Sequence, residues 1–454
     1  MNEIHLIRGN NNINVAFHCS SNSLIYINDN LFNVFECLER NGLAYTASKY
    51  GIAEEEILDI KCNILKNVKP LPCKKDSVDN EIIDRITLHI ANDCNLRCKY
   101  CYAGGGNYGN KRELMKQETA QQFVDFCCDN NLYIRNIVFF GGEPLLNERI
   151  IQYICDKFIE NFKIGKCKSI PRFGIITNGT RFDKRTIQLL EKYISFITVS
   201  IDGPKKIHDT NRVYINGNGS YSDVVQFINA IKDRKNIQLR YEATYTKQHL
   251  DAGLSISDVR LFIEKEFGIL GTVIPDTNLL LSETILNKKE LVLSDIDIER
   301  LPTGFWEILN TVLFKTRKDM CRISKRTFAV STSGDIYPCH INTGINNLKI
   351  GTIDGMNIIN TPSHYSKVFP LYSIIDKKEI LCKDCWAQNI CGGCTLKWFY
   401  DEENKKYNIS PKKELCEKNK AYIEKILLIV TSIRKDDNLW KRLVEKTHSH
   451  SSSC

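Results

Sequence analysis

The chain has 454 residues, 62 Lys and Arg against 54 Asp and Glu, and a net charge of +8; 43% of its residues are hydrophobic and 26% charged. That balance belongs to a globular protein with room for two or three domains and excludes a disordered chain. The charge is modest and gathers in no long Lys/Arg block, so a nucleic-acid partner is not expected.

Residues 1–75 read as a small winged-helix-like unit. Ile13 to Phe17 and Ser23 to Ile27 predict short strands. Leu31 to Glu39 and Glu54 to Asn67 are apolar at helical spacing, the latter through Ile57, Ile60 and Ile64. A polar linker over 74–80 follows. From 85 to 300 short apolar strands alternate with helices: Ile86–Ile90, Ile137–Phe140, Phe173–Thr177, Phe196–Ile201, Leu239–Thr244 and Gly271–Pro275. Ala120, Phe123, Val124 and Cys127 mark a helix between the first two. The alternation predicts an α/β fold with parallel strands, a partial (β/α)6 barrel whose site lies at the C-terminal strand ends.

Residues 301–434 are dense in cysteine and carry little legible regular structure, as expected where metal organises the chain. Residues 435–454 read as a frayed tail. The most apolar run, Ile426 to Ile433, is far shorter than the ~20 residues of a spanning helix, so no membrane partner is expected. Met1 to His5 lack the order of a secretory signal, and a cytoplasmic location is expected.

Nineteen cysteines, an odd count in a reducing compartment, point to metal or redox chemistry rather than a disulfide framework. Cys94, Cys98 and Cys101 stand at CxxxCxxC spacing directly after the first barrel strand. Three such thiolates can wrap one face of a [4Fe–4S] cube and leave the fourth iron open. A zinc site would want a fourth protein ligand nearby. Gly141-Gly142-Glu143-Pro144 ends the second strand: its glycines allow close backbone approach, and its carboxylate can accept from an ammonium. Thr177-Asn178-Gly179 ends the third strand and Ser200-Ile201-Asp202-Gly203-Pro204 the fourth, running on to His208 and Arg212. Farther on come Cys321, Cys339, Cys382-x2-Cys385-x5-Cys391-x2-Cys394 and Cys416, seven thiolates that call for two metal sites. Cys127, Cys128, Cys155 and Cys167 lack cluster spacing and read as small packing residues.

In this order the motifs resemble the radical S-adenosylmethionine (SAM) superfamily. The resemblance implies that Cys94, Cys98 and Cys101 hold a cluster whose open iron binds SAM, and that one electron cleaves SAM to methionine and a 5′-deoxyadenosyl radical. It further implies that Tyr100 lies near the adenine, that Gly141, Gly142 and Glu143 hold the SAM amino group, and that Ser200 and Arg212 contact its carboxylate and ribose, with Asn178 at the neighbouring strand end. A turn serine and a surface arginine are the plain alternatives for the last pair but one.

The later cysteines resemble the SPASM domain, which implies two auxiliary [4Fe–4S] clusters, three in all. By matching position, Cys321, Cys339 and Cys394 hold the first; Cys382, Cys385, Cys391 and Cys416 hold the second. Two residues separate Cys391 from Cys394 where the family has three. No further cysteine lies between Cys321 and Cys339, so the first auxiliary cluster keeps an open iron for a substrate thiolate, unless water or His340 fills it.

Residues 1–75 resemble, in size, position and strand–helix order, the element that binds leader peptides as an added strand; a structural cap is the alternative. Together these resemblances imply a maturase of a ribosomally made precursor peptide with a leader, forming Cys sulfur-to-carbon thioethers as in sactipeptide and ranthipeptide synthases, with an external electron donor of flavodoxin or ferredoxin type. Carbon–carbon cross-linking, sulfatase-type Ser/Cys oxidation and epimerisation are alternatives within the same chemistry. An iron–sulfur electron carrier is the non-catalytic one.

Overall fold

A computed structural model describes residues 3–9, 12–66, 71, 82–276, 301, 303–316, 327–354, 382, 384–392, 400–401, 406–407 and 412–451. The N-terminal unit is an antiparallel meander of β1 (Ile4–Ile7), β2 (Asn14–His18) and β3 (Ser23–Ile27), followed by α1 (Asp29–Asn41), α2 (Leu43–Tyr50) and α3 (Glu54–Leu65). The sequence reading found β2, β3, α1 and α3 but not β1 or α2. Asn28 caps α1 by accepting the Leu31 N–H at 2.9 Å, which supplies one of the acceptors that a helix start lacks.

Every residue of β2 is buried, because the strand is covered on both faces. Ala16 packs towards Phe32 and Phe35 of α1. Its neighbours Val15 and Phe17 point the other way, into a second core built from the C-terminal third of the chain. That core contains Phe305, Trp306 and Leu309 of α11 (Thr303–Leu313), Ile423, Ile426 and Val430 of α12 (Lys413–Ile433) and Leu443 of α13 (Asp437–Ser451). The expected frayed tail at 435–454 is thus corrected over its described part: Leu439, Trp440 and Leu443, at i, i+1 and i+4, give α13 an apolar stripe that docks onto α11 and α12.

Between these ends lies the barrel. Short β4 (Ile82–Ile83) pairs with β6 (Tyr133–Ile134) beneath it. Six parallel strands follow in spatial order: β5 (Arg85–Ala91), β7 (Asn136–Gly141), β8 (Arg172–Thr177), β9 (Ile194–Ser200), β10 (Gln238–Tyr245) and β11 (Leu270–Pro275). They are the six predicted strands. Helices α4 (Gln117–Asp129), α5 (Glu148–Lys163), α6 (Lys184–Tyr193), α7 (Lys205–Asn211), α8 (Tyr221–Ile231), α9 (Lys247–Asp251) and α10 (Ile256–Phe267) supply the crossovers. β12 (Thr327–Val330) extends the sheet in parallel beside β5, and β13 (Asp335–Tyr337) and β14 (Gly351–Thr352) continue it antiparallel. A two-stranded ribbon, β15 (Tyr400–Asp401) and β16 (Lys406–Tyr407), lies outside it.

Strand alternation separates the two faces. Ile86, Leu88 and Ile90 of β5 join Phe123 and Val124 of α4 in the main core, while His89 turns inward against Phe140 and Tyr108. Gly174 is on the inner face with the Phe196 ring laid over it; a Cβ there would lie 2.1 Å from that ring. Cys127 and Cys155 pack in the core as expected. Cys128 and Cys167 pack in the same core, and they also stand within disulfide reach, their Cα atoms 4.6 Å apart, at the contact of α4 with the segment before β8. Among the described residues no helix is long and apolar enough to cross a membrane.

Phe17 is 0% exposed at the seam between the N-terminal sheet and helices α11–α13. Phe17→Ala should cost roughly 3–5 kcal/mol. Urea unfolding followed by the fluorescence of Trp306, Trp386 and Trp440, which line that core, reads this out; a loss below about 1 kcal/mol, the size of an ordinary surface change, would mean the two ends do not share a core.

Candidate active site at the strand ends

The loop after β5 carries Cys94, Cys98 and Cys101, all partly buried. It is held against the loop after β7 by two backbone bonds: Gly142 N–H to Ala91 C=O and Glu143 N–H to Asp93 C=O, both 2.8 Å. A Cβ on Gly141 would lie 2.2 Å from the Ala91 oxygen, and one on Gly142 2.2 Å from the Asp93 oxygen. Gly141 also has φ +131°, so only glycine lets these loops close together.

Glu143 is 0% exposed and locks β7 to β8. Its Oε1 accepts from Leu145 N–H at 3.0 Å and Thr177 Oγ1 at 2.8 Å, and its Oε2 from Asn178 N–H at 2.7 Å. Burial pushes the carboxyl up, and these three hydrogen bonds pull it down. Three of its roughly four acceptor positions are therefore taken by the protein. Asn178, thus placed, donates through Nδ2 to Cys94 Sγ at 3.6 Å and Asn95 Oδ1 at 2.9 Å. Leu96 N–H also reaches Cys94 Sγ, at 3.4 Å.

A second clamp lies at the end of β9. Tyr100 donates to Asp202 Oδ2 at 2.6 Å and accepts from Arg212 Nη1 at 2.5 Å, while Arg212 lies 3.6 Å from Asp202 Oδ1. Thr244 N–H completes the carboxylate's partners at 3.1 Å. Two buried histidines fix the Asp202 backbone. His208 Nδ1 accepts its N–H at 3.3 Å, and His249 Nε2 donates to its C=O at 2.6 Å. Ser220 Oγ gives its own hydrogen to Arg212 C=O, so His208 Nε2, 3.1 Å away, is the donor of that pair. Thr246 N–H occupies His249 Nδ1 at 3.0 Å. Both rings are held as neutral Nε2–H tautomers by this network. Asp202, His208 and His249 were given no role from sequence; the signal available was the Ser200–Pro204 turn following a strand.

The strand ends thus gather Cys94, Cys98, Cys101, Tyr100, Gly141, Gly142, Glu143, Asn178, Ser200 and Arg212. Their chemistry fits an iron–sulfur cluster and SAM. Burial and the Glu143 charge push the Cys94 thiol up to about 12, so a thiolate there calls for compensating positive metal charge, and two N–H donors already point at its sulfur. Arg212 Nε is buried and has no partner among the described residues, a donor suited to a carboxylate or hydroxyl acceptor.

The remaining cysteines fall elsewhere. Cys339 lies across the barrel mouth: Tyr102 feels the charges of both Cys101 and Cys339, and His340 Nδ1 is 3.6 Å from Cys339 Sγ. Cys382, Cys385, Cys391 and Cys416 lie beside the N-terminal unit. Asn419 Nδ2 donates to Cys391 Sγ at 3.3 Å, Cys416 feels the charge of Cys385, and the intervening Trp386 stacks on His5 at 3.9 Å. Cys321 and Cys394 are outside the described residues.

His208 yields a pH test. Burial lowers its pKa from 6.5 to about 2, with Arg212 and Lys205 adding repulsion. Below pH 6.5 the unfolded chain therefore binds a proton that the folded chain refuses, and stability falls with pH. By pH 5 this one ring should cost about 2 kcal/mol. Urea midpoints at pH 7, 6 and 5 should drop accordingly, with a shallower slope in His208→Gln; parallel slopes would refute the neutral assignment.

Comparison with known proteins agrees with this geometry. The family model for the radical SAM superfamily matches residues 88–241. The radical SAM cyclopropyl synthase TigE of Paramaledivibacter caminithermalis is 24% identical over 345 residues, 70% of this chain and 68% of that one. A cysteine-type anaerobic sulfatase-maturating enzyme of Clostridium novyi is 25% identical over 374 residues, 76% of this chain and 95% of its own length. The solved structure of anSMEcpe with bound AdoMet superposes with a TM-score of 0.57 at 20% identity, covering 80% of this chain and 99% of that one. The chain thus carries a radical SAM domain across residues 88–241, and such a domain implies a [4Fe–4S] cluster.

Proposed function

We propose that this protein is a radical SAM maturase that forms Cys sulfur-to-carbon thioethers in a ribosomally made precursor peptide. The observations that carry the radical chemistry are three free cysteines, Cys94, Cys98 and Cys101, in the loop after β5, two N–H donors on Cys94 Sγ, and an Arg212 Nε without a partner among the described residues. Bound there, a [4Fe–4S] cluster and SAM would supply radical chemistry able to take a hydrogen atom from a substrate carbon. The chain's residues do the holding. Cys94, Cys98 and Cys101 ligate iron, with Asn178 and Leu96 donating to Cys94 Sγ. Arg212 and Ser200 orient the SAM carboxylate and ribose, and Tyr100 lies near the adenine. Glu143 fixes Asn178 and Thr177, leaving the backbone around Gly141 and Gly142 to meet the amino group.

The peptide substrate is supported by relatives and by the second cysteine set. Native anSMEcpe, a solved structure similar in fold at 20% identity, holds bound AdoMet and the Cp18Cys peptide. On our reading Cys321, Cys339 and Cys394 hold one auxiliary [4Fe–4S] cluster with an open iron for the substrate thiolate, and Cys382, Cys385, Cys391 and Cys416 hold another. Residues 1–75 take the leader as an added strand, and a flavodoxin- or ferredoxin-type donor delivers electrons. The location is cytoplasmic on this reading. A second reading, oxidation of a Ser or Cys side chain in a protein substrate, is favoured by the match to 95% of a sulfatase-maturating enzyme's length.

Mass spectrometry after anaerobic reconstitution with SAM, reductant and the nearest-encoded cysteine-containing peptide tests the proposal. Each cross-link should remove two hydrogen atoms and one alkylatable thiol, and Cys101→Ala should abolish both this and 5′-deoxyadenosine release. Cross-linking that survives in a Cys→Ser peptide would reject the sulfur assignment.

A further inference from the structure

The inner wall of the barrel holds an acidic side chain that the SAM machinery does not use. Along β10, Tyr241, Ala243 and Tyr245 pack outward with Val259 and Ile263 of α10. Alternation turns Glu242 the other way, into the barrel, where it sits between Ser200 of β9 and Thr272 of β11 in the paired register. Its backbone is pinned, since its C=O accepts the Ile201 N–H at 3.1 Å. Its carboxylate is accessible and, among the described residues, makes no hydrogen bond or ion pair.

Tyr102 faces it from the cysteine loop, 57% exposed and within reach of the charges of Cys101, Cys339 and Glu242. Glu242 is exposed as well, so both side chains are open to a ligand. An accessible acceptor on the inner face of β10 with an exposed phenol near it is a place for a polar guest.

We propose that Glu242 is the substrate-holding residue of this chamber, its carboxylate accepting a hydrogen bond from a neutral N–H or O–H of the bound peptide. This rests on the peptide reading above. The donor is neutral because Arg212 and Arg85 already oppose the Glu242 charge, and a cationic side chain would meet both guanidinium groups. An anionic group would meet Glu242 and Asp202 together. The chemistry selected is therefore an amide or hydroxyl, held between Tyr102 and β9–β11 within reach of the Ser200 strand end.

The test uses reconstituted, SAM-loaded enzyme without reductant, so that no turnover occurs. The probe is the fluorescein-labelled core segment of the nearest-encoded precursor, without its leader, read by anisotropy. Glu242→Ala should weaken binding about tenfold or more, the worth of a hydrogen bond to a charged group. Glu242→Asp should recover part of it. In the wild type affinity should fall as pH drops through the raised carboxyl range, because protonation removes the acceptor, and Glu242→Gln should bind weakly with little pH dependence. A merely structural role would not move that profile. Should Glu242→Ala fail to fold, the near-isosteric Glu242→Gln carries the comparison. Equal affinity and equal pH profiles in wild type and Glu242→Gln would overturn the assignment and leave the peptide reading standing. A wild type that cleaves SAM but neither binds the core segment nor modifies the full precursor would overturn the peptide reading, and this inference with it.

Discussion

The site depends on one buried carboxylate. Glu143, with no exposed surface, is charged at a tolerable cost only because Leu145 N–H, Thr177 Oγ1 and Asn178 N–H converge on it. Those donors come from two strand ends, so the compensation of one charge sets the relative height of β7 and β8. Everything nearby inherits that placement: Asn178 is held where its amide reaches Cys94 Sγ, and the Gly141–Gly142 turn is held against Ala91 and Asp93. A carboxylate occupied in this way acts on a ligand mainly through the groups it positions.

Asp202 is the counterpart on the other side. Its carboxylate is shared by Tyr100, Arg212 and Thr244, and its peptide groups by His208 and His249. Neutral imidazoles suit the task because each needs one acceptor and one donor position at fixed geometry, and neither adds charge beside Arg212. The clamp leaves Arg212 with a buried Nε that no group among the described residues satisfies. A protein that fixes a guanidinium so firmly and leaves one donor empty has built half of a binding contact.

The barrel and its strand ends were legible because parallel strands buried on both faces produce apolar runs whose ends carry the motif residues. Cys94, Glu143, Asn178, Ser200 and Arg212 each follow such a run. Asp202, His208 and His249 were not legible as a unit, because a buried aspartate in a Ser-Ile-Asp-Gly-Pro turn reads like any solvent-facing one. What distinguishes it is contact with residues up to 102 positions away, as in the Tyr100 pair. Glu242 was hidden for a related reason: within Gln238–Tyr245 the alternation that sends it inward is the same that would send a strand's polar residues to solvent. Helix α13 was passed over because its apolar stripe is only Leu439, Trp440 and Leu443 in a polar segment, enough to dock on an existing core but not to announce one.

The N-terminal sheet and the C-terminal helices are not separable appendages. β2 is buried on both faces, one against α1 and the other against α11 and α12, so the small unit completes its own fold only by closing the core of the C-terminal third. At the same seam His5 stacks on Trp386, between Cys385 and Cys391, and Asn389 donates to the Cys19 C=O. A peptide strand added to this unit would alter packing within two residues of proposed cluster ligands. In a close-packed interior such shifts pass to neighbours rather than being absorbed. A peptide strand bound to this unit would therefore be joined to the second cysteine set by shared side chains.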